Sequence, residues 1–316
     1  MTDLFSVSPA SAAASASRLD SLALCMLLLT GAVALGVLVL LVVFSVRYRA
    51  ASHVDRTPSP SSNLTLEISW TVIPLLLFLV LYVWGAIDYV SLYRAPPDAM
   101  PVFVVAKQWM WKAEHRNGRR EINEVHLPVG RTVRMVMTSQ DVIHSFFVPA
   151  FRIKQDVLPG RYTSIAFTPD KEGVYHLFCA EFCGTDHAVM EGRVVVMKPA
   201  DFAGWLAEGG HVPGMAARGH DLFRQYGCSG CHGAGSSVHA PDLTGLLGRR
   251  VHLADGRAVT ADEPYVRDSI LVPAKDVVAG YAPIMPSFAG QIPEEDLLAI
   301  IEYIRETGHD QSAERR

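Results

Sequence analysis

Two uninterrupted apolar stretches constrain this chain more than any other feature of it. The first runs from about Leu22 to Val46 and the second from about Ile68 to Ile87, neither with a charged residue. About 20 apolar residues suffice to cross the hydrocarbon of a bilayer as a helix. Inside lipid no water is at hand for backbone N–H and C=O groups, so a crossing segment must satisfy them internally, as a helix does. The first run is far longer than the roughly 7–15 residues of a signal-peptide core, and no small-residue cleavage site stands out. It reads as a retained helix preceded by a single cation, Arg18. Pro74, near the start of the second run, is tolerable where neighbouring helices and water take up the freed carbonyl. The loop between the runs carries Arg47, Arg49 and Arg56, which places it in the cytoplasm by the positive-inside rule. Both termini and everything beyond about Tyr89 then face outward, with Tyr82, Trp84, Tyr89 and Tyr93 marking the outer interface. The expectation is a multi-pass protein of a bacterial inner membrane, its soluble part periplasmic. A Ser/Ala-rich N-terminus over 1–20 is expected to be disordered.

The outward part carries metal chemistry. Between Cys179 and Met190 the chain reads Cys-Ala-Glu-Phe-Cys-Gly-Thr-Asp-His-Ala-Val-Met. Two thiols, an imidazole and a thioether in so short a segment are hard to explain as packing. Copper is the metal that takes thiolate, imidazole and thioether together. A mononuclear electron-transfer copper uses one Cys, whereas a second Cys four residues on provides two thiolates able to bridge two copper ions. Each ion then needs its own imidazole. His187 supplies one, and His144, in Asp-Val-Ile-His-Ser-Phe, is the best candidate for the other. A Cys2His2 zinc site is the alternative, and it leaves Met190 without a role.

Farther on, Cys228-Ser-Gly-Cys231-His232 is the pattern of covalent haem attachment, in which the thiols add to the vinyl groups and the histidine takes the proximal iron position. Met285, between Pro283 and Pro286, is the only methionine after that motif. It is the candidate for the sixth iron position of a high-potential electron carrier, with His239 and His252 as competitors. Cys25, in the first apolar run, is the one cysteine left over, so no pair remains for a structural disulfide. A formal net charge of −4 gives no basis for nucleic-acid binding.

From about Val102 to Lys198 the pattern is that of short strands: Val102–Val105, Arg131–Met137, Tyr162–Phe167, Gly173–Phe178 and Arg193–Met197. In the second of these Val133, Met135 and Met137 share one side and Arg134 takes the other. Such spacing suggests a sandwich or barrel of about a hundred residues, with the Cys179–Met190 segment in the loop between its last two strands. A Gly-rich stretch over 208–214 reads as a hinge. Beyond it Ala216–Tyr226 and Pro293–Glu306 read as helices. Gly219 in the first is set to meet a helix neighbour, and Leu297, Ile300, Ile301 and Ile304 form the apolar stripe of the second.

Two helices followed by a β domain ending in Cys179…Met190 closely resemble subunit II of haem-copper cytochrome c oxidases. The tail is similar to the cytochrome c domain fused to that subunit in caa-type members, and the resemblance covers about residues 20–312. It implies a multidomain membrane protein. A two-helix transmembrane hairpin would occupy 21–94, an all-β cupredoxin-like barrel 98–200, and an all-α class I cytochrome c domain 215–312. It implies a binuclear copper centre, CuA, bridged by Cys179 and Cys183, with His144, His187, Met190 and the Glu181 backbone carbonyl as further ligands. The Glu181 side chain would reach a magnesium ion shared with subunit I. A covalent haem c would be held by Cys228, Cys231, His232 and Met285. The implied partners are subunits I and III, an external cytochrome c or other donor, and the membrane.

The implied activity is electron entry into a proton-pumping terminal oxidase, from donor to haem c to CuA to the haem of subunit I. Oxygen reduction itself would belong to subunit I, since this chain offers no open metal site with a proton supply. Glu67 matches the family carboxylate at the mouth of a proton-uptake channel, and reads equally as an acid favoured by a helix N-terminus. Trp109 and Trp111 match an aromatic cluster used for electron entry, and read equally as barrel core; Met110 between them departs from the family pattern. Asp156 and Arg161 fall on a loop facing subunit I, or form a surface ion pair. The competing reading is a membrane-anchored copper carrier or oxidase assembly factor, which has no use for a haem.

Overall fold

The two apolar runs become helices longer than themselves. A computed structural model describes residues 10–55, 62–208, 213–233 and 236–307, and in it α1 spans Ala14–Arg47 and α2 Leu64–Tyr93. Their leucines, valines and phenylalanines stand exposed, as side chains that face lipid do. A reciprocal cap starts α2: the Asn63 side chain accepts from Leu66 N at 3.1 Å, and the Glu67 carboxylate accepts from Asn63 N at 3.3 Å. The N-terminal segment departs from the expectation of disorder. Residues 1–9 lie outside the described residues, but Ala12 and Ala13 are buried, Ala13 bridges to Pro169, and Asp20 takes a two-pronged contact from Arg152 at 2.9 and 3.0 Å. Small side chains let this backbone lie flat against the β domain, so the first helix is stitched to the domain that the second one leads into. Arg56 also lies outside the described residues.

Ten strands come after α2: β1 Met100–Lys107, β2 Met110–His115, β3 Arg120–Ile122, β4 Glu124–Pro128, β5 Val133–Ser139, β6 His144–Val148, β7 Ile153–Val157, β8 Thr163–Phe167, β9 Gly173–Cys179 and β10 Glu191–Met197. They form two five-stranded sheets, β3-β2-β1-β5-β8 and β4-β10-β9-β6-β7. Val133, Met135 and Met137 point into the core between the sheets with Trp111, Phe146, Leu177 and Val194, as the alternation requires. β1 is different. All five residues Val102–Ala106 are buried, because the outer face of its sheet is covered as well.

The cover is the C-terminal domain. After α3 (Pro199–Glu208), whose Trp205 stacks on His126, residues 209–212 of the expected hinge lie outside the described residues. The chain resumes as α4 (Met215–Gln225), α5 (Ser229–His232), a small hairpin of β11 (Arg250–His252) and β12 (Ala258–Thr260), α6 (Glu263–Leu271) and α7 (Glu294–Glu306). Leu297, Ile300, Ile301 and Ile304 of α7 are buried as expected, and Glu294, Glu295 and Asp296 fill its first turn. Gly219 of α4 lies so close to α7 that a Cβ there would sit 1.9 Å from the Ala299 carbonyl oxygen.

Phe103, Val105, Val136 and Tyr162 of the β domain share one apolar cluster with α4, α6 and α7. Around it Arg218 pairs with Glu114 (3.0 Å), Lys112 with Glu295 (2.9 Å), Arg134 with Glu263 (2.8 Å) and Arg116 with Glu302 (2.8 Å). The C-terminal domain thus packs on the β domain through both apolar and ionic contacts.

Candidate metal and haem centres

β9 ends at Cys179 and β10 begins at Glu191, so the ligand-rich segment is a loop closed by its own sheet. Cys179 N donates to Met190 O at 3.2 Å, and Ala180 N to Ser145 O at 3.0 Å. The loop is also held from below, because Gln108 Nε2 and Trp109 Nε1 both donate to Cys183 O, at 2.8 and 3.3 Å. Gly184 turns at φ +120°, and a Cβ there would stand 2.8 Å from the Gln108 amide nitrogen. No side chain fits that turn without moving the support.

The donor atoms converge in two lobes. The Cys179 and Cys183 sulfurs are 3.7 Å apart. His144 Nδ1 lies 3.9 Å from Cys179 Sγ, and the Glu181 carbonyl oxygen 3.2 Å from the same sulfur. His187 Nδ1 lies 3.4 Å and Met190 Sδ 3.8 Å from Cys183 Sγ. His144, Cys179 and Cys183 are the one group of metal-ligating side chains of this kind among the described residues.

His144 is fully buried and oriented by Asp141, whose Oδ1 is 2.9 Å from Nε2. This carboxylate fixes the tautomer that leaves Nδ1 facing the sulfurs. Asp141 accepts in turn from Gln108 N and Val142 N, both at 2.7 Å. Burial disfavours the Cys179 thiolate, but hydrogen bonds with His144 and with the backbone of Glu181 and Ser145 bring its pKa down to about 6. Burial, and then the neighbouring Cys179 sulfur, push Cys183 up to about 12. Two like charges this close do not both ionise without cations between them.

The CxxCH segment lines a half-open, largely apolar cleft of about 240 Å³ with Met285, His239, Ile300 and Ile304. His232 Nδ1 donates to Pro241 O at 3.0 Å, which leaves Nε2 for an iron ligand. Met285 and His232 are 53 residues apart in sequence and border one space. Of the two competing histidines, His239 lines the cleft with its ring stacked on Tyr281, while His252 is in β11, outside the lining.

Trp109 touches the Cys183 loop, whereas Trp111 is fully buried core, edge-on to His144 and Phe146. Asp156 does not pair with Arg161. It accepts from Ser145 Oγ (2.8 Å) and pairs with Lys154 (2.9 Å), because it faces its β6 neighbour across the sheet. Asp141, Gln108 and the Pro241 carbonyl escaped the sequence reading. Only Asp141 left a trace there, as an acid three residues before a candidate ligand. α7 also meets the β domain close to the copper loop: Glu295 at its start accepts from Gln140 Nε2 at 2.7 Å, next in sequence to the Asp141 that orients His144.

Three family models match the chain. They are the transmembrane domain of cytochrome c oxidase subunit II over residues 5–85, its periplasmic domain over 102–198, and cytochrome c over 216–308. Cytochrome c oxidase subunit 2 of Alkalihalophilus pseudofirmus is 30% identical over 298 residues, covering 85% of this chain and 82% of that one. The probable cytochrome c oxidase subunit 2 of Streptomyces coelicolor is 32% identical over 252 residues, 61% of this chain and 78% of that one. Among solved structures, the periplasmic domain of subunit II of cytochrome oxidase of Bradyrhizobium japonicum matches 37% of this chain and 96% of its own, at 29% identity and a TM-score of 0.35.

Proposed function

Because this chain belongs to the cytochrome c oxidase subunit II family, in the form with a fused cytochrome c domain, we propose that it receives electrons at a haem c held by Cys228 and Cys231 and passes them to a CuA centre held by Cys179 and Cys183. As a member of that family it is a subunit of the oxidase complex, anchored by two membrane helices with its β domain on the periplasmic side. The proposal adds the route: external donor, haem c, CuA, then a haem of subunit I, where oxygen reduction coupled to proton translocation would take place.

The observation that carries it is the two-lobed donor set, two sulfurs 3.7 Å apart with an imidazole beside each. A single zinc ion gathers four donors around one point; here each sulfur has its own histidine, and a buried methionine completes one lobe, which suits two copper ions. When bound, such a centre supplies a one-electron carrier whose charge is spread over two metals and two soft sulfurs. The chain's own part is rigidity. Asp141 holds the His144 ring, Gln108 and Trp109 hold the Cys183 carbonyl, and the β9–β10 closure holds the loop ends, so the ligands cannot relax when charge changes. At the other centre Pro241 holds the His232 ring and the prolines beside Met285 stiffen its approach.

Trp109 as a point of electron entry is supported by its contact with the Cys183 loop. Glu67 as a proton-collecting group has only its place at the cytoplasmic end of α2, where it also serves the helix cap. A magnesium ion at the Glu181 carboxylate, and contacts with subunits I and III, rest on the family resemblance alone. A copper carrier or assembly factor would not need the haem cleft. Electron paramagnetic resonance of the solubilised full chain tests the reading. Hyperfine structure from two equivalent copper nuclei, beside a c-type haem absorption band, is expected; a one-copper or zinc-only protein would refute it.

A further inference from the structure

Where the hairpin, the β domain and the helical domain meet lies a polar cavity of about 490 Å³. Tyr93 and Arg94, at the outer end of α2, form its membrane side. Arg116 and Arg134 reach it from the β domain and Arg305 from α7, against only two carboxylates, Glu263 and Glu302. Both carboxylates are already committed. Glu263 meets Arg134 at 2.8 Å and Arg305 at 2.6 Å, and Glu302 meets Arg116 at 2.8 Å and Arg305 at 3.2 Å.

Each guanidinium carries five donors in a rigid fork, so these contacts leave donors over. The Arg94 side chain has no ion pair or hydrogen bond among the described residues, and the Arg116 side chain is 48% exposed, so the space is open to a ligand. Four guanidiniums against two carboxylates leave an excess of two positive charges in a half-enclosed space, where field lines concentrate and an anion is drawn in. Arginine forks match the paired oxygens of a phosphate, whereas a lone halide offers one atom and no second acceptor for the fork. The position, at the outer end of a spanning helix, is at the level of lipid headgroups.

We propose that this cavity binds a phosphate group, carried either by an anionic phospholipid headgroup or by free inorganic phosphate. A bound phosphate would join Arg94 of the hairpin, Arg116 and Arg134 of the β domain and Arg305 of α7. It would thus clamp the helical domain where the ion pairs already dock it.

The test uses the full chain in lipid nanodiscs. In discs of zwitterionic lipid, saturable calorimetric binding of inorganic phosphate that weakens about tenfold in Arg94→Gln, as expected for one lost charge-assisted contact of roughly 1.4 kcal/mol, assigns the free anion. If phosphate does not bind, but phosphatidylglycerol doped into the discs stays with the protein in native mass spectrometry and is lost in Arg94→Gln/Arg116→Gln, the ligand is the headgroup. Binding of neither, or binding unchanged in both variants, overturns the proposal and leaves a water-filled crevice. Arg94→Gln removes no internal contact, so its result stands even if the double variant unfolds.

Discussion

At the scale of single residues the copper loop depends on groups that are not ligands. Asp141 holds the His144 ring by one oxygen and the Gln108 backbone amide by the other. Asn at 141 keeps an acceptor and the volume but loses the charge that orients the imidazole. Asp141→Asn is therefore expected to lower copper affinity by roughly 10–100-fold, the usual effect of an outer-shell partner, with the melting temperature little changed. Competition with a copper chelator measures it. Met285 makes a sharper case, since His239 lines the same cleft. Met285→Ala should leave the haem covalently attached while its low-spin absorption spectrum is lost and added small ligands bind the iron. An unchanged spectrum in that variant would make His239 the ligand.

Among elements, the α4–α7 crossing is where one atom decides. Alanine is favoured over glycine in a helix by about 1 kcal/mol, so propensity alone predicts that Gly219→Ala stabilises. The added Cβ would meet the Ala299 carbonyl at 1.9 Å and Tyr303 Cβ at 2.8 Å. The first of these is backbone that cannot swing aside. Overpacking wins, and a net loss near 3 kcal/mol is expected, on the order of the upper end for overpacked cores, read as a lower melting temperature of the helical domain by circular dichroism. A melting temperature equal to or above that of the native chain would show that the helices part more easily than their packing suggests.

On the scale of the whole molecule, the docked interface carries the pH dependence. Burial opposes the Glu263 charge, but the hydrogen bond and charge of Arg134 and the charge of Arg305 outweigh it and hold the carboxyl down at about 2. A carboxyl depressed from 4.5 favours the folded, docked state above that pH, and the contribution fades as pH falls from about 4.5 to about 2. It is worth on the order of 3 kcal/mol at neutral pH. Urea unfolding of the solubilised chain should show the decline in that window, and Glu263→Gln should be less stable at pH 7 and flatter below it. That figure already includes the cost of burying the carboxylate; the same pairs also fix how the helical domain sits on the β domain.

How much of this was legible varies with the distance over which a feature is encoded. The membrane hairpin, the clean alternation of β5, the apolar stripe of α7 and the helix contact at Gly219 all come from spacing within a dozen residues. β2, β3, β4, β6 and β7 did not, because they are short, and charged or polar residues such as Lys112, Glu114 and His126 interrupt their apolar pattern. Ala12 and Ala13 looked like a disordered tail since nothing in a run of small residues says what they will lie against. Asp156 looked free to pair with Arg161 because they are near in sequence; the sheet register gave it Ser145 across the sheet, and the strand itself put Lys154 on the same face two residues away.

By itself, then, the sequence determined which donor side chains the chain offers and their local order, from Cys179 to Met190 and from Cys228 to His232, along with the two spans that hold the chain in a membrane. Those depend on chemistry carried by adjacent residues. Only the tertiary structure decided that Asp141 turns His144 toward the sulfurs, that Met285 shares one cleft with His232, and that the helical domain is clamped to the outer face of the β1 sheet. Each of these is a contact between groups whose energy depends on burial and geometry, and no local spacing encodes either.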